Sequence, residues 1–205
     1  MLQWMDLTFR VRPVDIDETP LSGEAPEPYV CRLAETKALA ARGLAEGDTF
    51  ILAADTIVAD GDTLLGKPSG PDEAREMLRT LRGRVHRVCT ALAVIPPGAE
   101  NALLDLCVSQ VPMRDYSDAE IEAYIASGDP LDKAGAYAIQ HPEFRPVTAF
   151  RGCFASVMGL PLCHLLRVFK KVGVAPQHDM VQICRENLDY NCLISARVLD
   201  GENIG

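Results

Sequence analysis

Three short, nearly continuous apolar runs do most to limit what this chain can become: residues 49–58, 85–95 and 103–111. Runs of that length read as buried strands and fall well short of the roughly 20 residues a membrane span needs. The last two flank a Pro96-Pro97-Gly98 loop and read as a pair. Asp60-Gly61 makes a good turn after the first.

Helix-type segments alternate with these runs. Residues 29–44 place Val30, Leu33, Ala34, Ala38 and Ala41 near one face. Residues 71–81 open on Pro71, Asp72 and Glu73, and Gly83 can end them. Ser117-Asp118-Ala119-Glu120 is a capping box, with Gly128 placed to close its helix. Residues 160–172 carry Pro161 early, Lys170 and Lys171 late, and Gly173 beyond. Residues 1–13 contain Trp4, Leu7, Phe9 and Val11 and could enter a strand at their end, and residues 174–205 read as a loose helix or a partly disordered tail. Strands alternating with helices give a mixed α/β domain.

Composition excludes some functions. A net charge of −9 argues against a general nucleic-acid binder, although a few cations focused in one cleft can still hold an anionic substrate. Seven cysteines with no C-x-x-C pair fit small buried hydrophobes better than a disulfide framework or a zinc site. No signal pattern opens the chain, so a cytoplasmic protein without membrane or nucleic-acid partners is expected.

Residues 61–67, Gly-Asp-Thr-Leu-Leu-Gly-Lys, fit the frame of a phosphate-binding P-loop. Pro68 stands where the magnesium-binding hydroxyl should be and disfavours helix at Lys67, so the motif fails.

Five pieces could carry chemistry. Asp17-Glu18 could hold a metal or be a solvated turn. Asp55-Thr56 lies within a buried-strand run, where a carboxylate is costly unless paired or metal-bound. Gly66-Lys67-Pro68 puts a cation on a stiff turn, and an isolated lysine there is more often a surface residue. Gly83-Arg84-Val85-His86 starts a strand, and a partly buried histidine is its plainer reading. Asp132-Lys133-Ala134-Gly135-Ala136-Tyr137 with Gln140 combines small residues, which let a ligand approach, with polar groups that a structural turn leaves without a role.

Taken in order, Asp-Glu (17–18), Leu-Ala-x-x-Lys-Ala (33–38), Ala-Asp-Thr (54–56), Gly-Lys-Pro (66–68), Leu-x-Gly-x-x-His (81–86), Asp-Lys-Ala-Gly-Ala-Tyr (132–137) and Gly-Leu-Pro-Leu (159–162) resemble the Maf family of nucleoside-triphosphate pyrophosphatases. The resemblance implies a Maf/ITPase-like twisted sheet flanked by helices around a central cleft, in a domain of residues 1–173 followed by an extension, 174–205. It implies cleavage between the α and β phosphates of a nucleoside triphosphate, with Mg2+ or Mn2+ as cofactor. Asp55 matches the catalytic proton acceptor, Glu18 an acidic residue tied to metal and catalysis, and Lys37 and Lys67 lysines near the phosphates. Glu18 and Asp55 are thus the candidate metal ligands. Thr56, Gln140, His86 and Lys133, in or beside matched motifs, are the candidate substrate-binding residues, and Thr56 with Gln140 resembles the branch acting on dTTP and UTP.

Family members begin with a strand and a Ser-x-x-Arg-Arg loop that has no counterpart here, so a missing first strand and an unpaired sheet edge are expected. Such an edge would favour a homodimer. Two other readings stay open: a catalytically impaired nucleotide-binding or regulatory relative, and a pyrophosphatase for purine or modified nucleotides.

Overall fold

The computed structural model describes residues 1–205. Its frame is one antiparallel sheet made from the three apolar runs and one short addition: β1 (Ile51–Asp60), β2 (Thr63–Leu65), β3 (Val85–Ile95) and β4 (Leu103–Pro112), in the order β2-β1-β3-β4. The Asp60-Gly61 turn joins β1 to β2, with Gly61 at φ 60° as such a hairpin requires. β2 is only three residues long and gives no alternation to read from sequence.

β1 is the unusual strand. Residues 51–59 pair with β3, but only Val58–Asp60 pair with β2, so residues 51–57 have a strand on one side alone. No other backbone group bonds to that open side.

Helices cover both faces. α1 (Pro26–Ala41) starts with Pro26 in its first turn and lays Tyr29, Val30, Leu33, Ala34 and Ala38 on the sheet. Its alanines meet Ala91 and Ala93 of β3, and small residues on both sides allow close contact. The opposite face is covered by α2 (Pro71–Leu81), α3 (Asp118–Ala126), α4 (Phe154–Val157) and α5 (Leu162–Lys171). Val58, Leu78, Leu81, Val88, Tyr116 and Ile121 form the largest core cluster there. Each fully buried aliphatic side chain contributes about 1.5–3 kcal/mol, so Leu78→Ala alone would cost several. The capping box forms as expected, with Ser117 Oγ accepting from the Glu120 amide and the Glu120 carboxylate accepting from the Ser117 amide.

At the N-terminal end one expectation fails. Residues 6–25 form no strand; a short 3-10 turn at Leu2–Met5 leads into irregular chain, leaving Leu7, Phe9 and Val11 exposed. Propensity there goes unrewarded because no partner strand receives it. At the other end the tail takes the helical one of its two readings, as α6 (Met180–Leu188), capped by Asp179, and α7 (Ser195–Leu199), both packed on α5. Met180 is buried with Met5, Leu162 and Leu165, the apolar anchor that fixes it. All seven cysteines are free thiols, five of them buried. No helix is long and apolar enough to cross a membrane.

Candidate active site

Successive residues of a strand face opposite sides of its sheet, and β1 uses this at Asp55 and Thr56. Asp55 stands opposite Ala91 and faces α1; Thr56 stands opposite Thr90 and faces away from α1.

On the α1 side, Lys37 lies one turn beyond the buried Leu33, so its ammonium reaches over the sheet to Asp55. The same Nζ is 2.7 Å from Glu18 Oε1. Two carboxylates from distant segments thus share one cation. The Glu18 loop is pinned by side chains that its own residues do not reveal. The Tyr29 hydroxyl donates to the Glu18 carbonyl at 2.7 Å, and Arg32 clamps Glu24 with two 2.7 Å bonds while donating to the Thr19 carbonyl. Sequence reading missed Tyr29 and Arg32; both sit on the α1 turns next to Lys37, the only signal they offered.

Burial raises the Asp55 carboxyl above its ordinary value, and the hydrogen bond from Lys37 offsets this only in part, with Glu18 adding repulsion. Lys37 is raised too: burial pulls it down, but its bonds to Asp55 and Glu18 outweigh that. One ammonium serving two carboxylates explains both directions.

Lys67 joins the site from a different part of the chain. The Gly66-Lys67-Pro68 turn is held against the 132–137 segment by the Gly135 amide, which donates to the Gly66 carbonyl at 3.0 Å. From there the charge of Lys67 reaches Asp55, the smallest of the influences on a carboxyl whose pKa is raised overall. Gly135 has φ 67° and touches β1: an added Cβ would lie 2.9 Å from both Val58 methyls. Only glycine fits there.

On the other side, Thr56 Oγ1 is 2.9 Å from Thr90 Oγ1, and Thr90 donates to the Ser156 carbonyl at 2.8 Å. Gly159 approaches closely enough that a Cβ would lie 3.5 Å from Thr56 Oγ1.

Not every candidate residue joins this group. His86 is 2% exposed, with Nε2 2.8 Å from the Tyr137 hydroxyl, and burial lowers its pKa to about 4. It is a neutral core residue, and a substrate contact would require the core to open. Lys133 is paired with Asp132 at 2.7 Å and Asp129 at 3.2 Å, so local ion pairs give this segment's polar groups a structural role. Gln140 is exposed to solvent.

No cluster of three or more His, Cys, Asp or Glu side chains is assembled to hold a metal. The Glu18 and Asp55 carboxylates nevertheless converge on a single cationic point. Two hard oxygen donors suit Mg2+ or Mn2+, which complete their coordination with water and phosphate oxygens.

The family described as Maf-like protein matches residues 1–172. A dTTP/UTP pyrophosphatase of Dehalococcoides mccartyi is 40% identical over 181 residues, 87% of this chain and 80% of the relative. A dTTP/UTP pyrophosphatase of a Geobacter species is 42% identical over 173 residues, covering 84% and 89%. One from Methylococcus capsulatus is 44% identical over 169 residues, 82% of each chain. The chain belongs to the Maf-like family.

Proposed function

We propose that this Maf-like protein hydrolyses dTTP and UTP to the nucleoside monophosphate and pyrophosphate. The observation that carries the reading is the Lys37 ammonium shared by Glu18 and Asp55 at the one-sided end of β1, with Lys67 beside it. The names of relatives about 40% identical over most of the chain support the choice of substrate.

Asp55 is the proton acceptor. Its raised pKa makes it a stronger base than an ordinary carboxylate. As it takes a proton from water, the water oxygen bonds to the α-phosphorus and the bond from that phosphorus to the bridging oxygen breaks. Lys37 and Lys67 hold the polyphosphate and favour the charge that builds up on the departing pyrophosphate. Glu18 and Asp55 are the residues to hold a divalent cation, which when bound neutralises charge on the phosphate oxygens. Thr56 and Gln140 face the nucleoside; a Gln amide can both donate to and accept from the edge of uracil or thymine. Residues 1–173 form the catalytic domain in this reading, and residues 174–205 are an extension docked on it.

The test is pyrophosphate release by the full chain from dTTP, UTP, CTP, ATP, GTP and 7-methyl-GTP, with and without Mg2+ or Mn2+. Metal-dependent turnover favouring dTTP and UTP supports the proposal. Turnover favouring purines moves the substrate, and binding without turnover makes the protein a nucleotide-binding relative.

A further inference from the structure

The hydroxyls of Thr56 and Thr90 form a short relay whose proton order can be deduced. Thr90 and Ser156 are fully buried, whereas Thr56 is partly exposed. The Ser156 carbonyl receives the Gly159 amide at 2.8 Å and the Thr90 hydroxyl at 2.8 Å. A hydroxyl has one hydrogen and a carbonyl has none to give. Were the Thr90 hydrogen turned towards Thr56, two buried oxygens would face each other at 2.8 Å with no proton between them, which is costly. The Thr90 hydrogen therefore lies on the Ser156 carbonyl. The Ser156 hydroxyl has no partner and so does not compete for the Thr90 oxygen. That oxygen, 2.9 Å from Thr56 Oγ1, accepts the hydrogen of Thr56.

Thr56 is thereby left with lone pairs, and no hydrogen, to offer outward. We infer that Thr90 is a positioning residue that locks Thr56 as an acceptor, so that the site takes a nucleobase presenting an N–H, the imide of uracil or thymine. Cytosine presents a bare ring nitrogen at the equivalent place, and two acceptors repel. Phosphate oxygens are acceptors as well and gain nothing from Thr56, which keeps the base side of the site apart from Lys37 and Lys67. This rests on the pyrimidine reading given above.

The experiment compares kcat/KM for UTP, dTTP and CTP in the wild-type chain, Thr90→Val and Thr90→Ser, with thermal melts as a folding check. Thr90→Val frees the Thr56 hydroxyl to rotate and donate, and the preference for UTP over CTP is expected to fall by about tenfold, the weight of one hydrogen bond. Thr90→Ser keeps the relay and the preference. Should Thr90→Val fail to fold, Thr90→Cys, with a thiol that is a poor acceptor, takes its place. A third arm adds Thr56→Val and the double variant, whose effects on the preference should be far from additive. A wild-type chain that does not prefer UTP and dTTP over CTP overturns the pyrimidine reading, and this inference with it. A wild-type chain with that preference, unchanged in Thr90→Val or Thr90→Cys, overturns the inference alone.

Discussion

Asp55 and Thr56 are neighbours in β1, yet they belong to different kinds of chemistry. Asp55 shares a lysine with a second carboxylate, on the face covered by a helix lined with alanines. Thr56 ends a neutral chain of hydrogen bonds through Thr90 to a backbone carbonyl, on the face covered by four helices. Nearby on that second face, His86 is kept neutral against Tyr137. The α1 face thus carries charge with its polar groups partly open to solvent, while the opposite face orders neutral groups inside a packed core. A single strand can serve a polyphosphate and a base because its period of two assigns alternate side chains to each.

The largest expected effect concerns the charged face. Asp55→Asn should lower kcat/KM for dTTP by roughly 100- to 10,000-fold, the usual weight of a general base, while the melting transition shifts by only a few degrees. Near-normal turnover in that variant would remove Asp55 from the mechanism. The stability of the wild-type chain should also respond here. Because the folded pKa of Asp55 is raised, its contribution is fully present below the ordinary carboxylate range and is lost as pH rises through the raised value. Asp55→Asn removes that loss.

On the opposite face stability should suffer before chemistry. Gly135→Ala forces a side chain into a left-handed backbone and against Val58, at a cost of about 3 kcal/mol in urea denaturation. Val58→Ala in the same chain should recover part of it. A Gly135→Ala variant as stable as wild type would show that the Gly66–Lys67 turn is not braced in this way.

These positions also indicate what could be read from sequence. α2, with Pro71 at its first position and Gly83 behind, and the Ser117 capping box are local signals, and they form where expected. The collinear motifs likewise singled out Glu18, Lys37, Asp55 and Lys67, which the fold brings together. The Thr56–Thr90 pair was not legible, because only the register of β1 against β3 places residues so far apart in sequence opposite one another. His86 is buried, as its plainer reading from the strand start has it; the candidate substrate contact came from the motif resemblance, which carries no information on burial. Lys133 was a candidate for substrate binding, but its partners are local: Asp132 directly precedes it, and the 3-10 turn Asp129–Asp132 brings Asp129 into reach.

The neutral face should show the opposite pH signature to Asp55. With a folded pKa of about 4 against an ordinary 6.5, His86 contributes stability that is present above 6.5 and lost as pH falls through 4. That gap corresponds to about 3 kcal/mol, which denaturation curves at pH 7, 5.5 and 4.5 would measure. His86→Phe should flatten the decline, and an unchanged decline would trace it to other groups. The smallest effect serves as a control outside the site: Ser117→Ala should cost about 1 kcal/mol through the lost cap and leave kcat/KM unchanged.

The one-sided stretch of β1 has a further consequence, in time rather than in energy. In an antiparallel pair, alternate residues point their amides at the partner strand and away from it. Between residues 51 and 57 the outward amides meet no backbone acceptor, while β3 is paired along nearly its whole length on both sides. Deuterium should therefore enter β1 at every second position within the dead time of an exchange experiment, while the amides between and those of β3 hold their protons until the sheet opens. The strand that carries Asp55 and Thr56 would record two clocks, and nucleotide laid along its edge should slow the faster one.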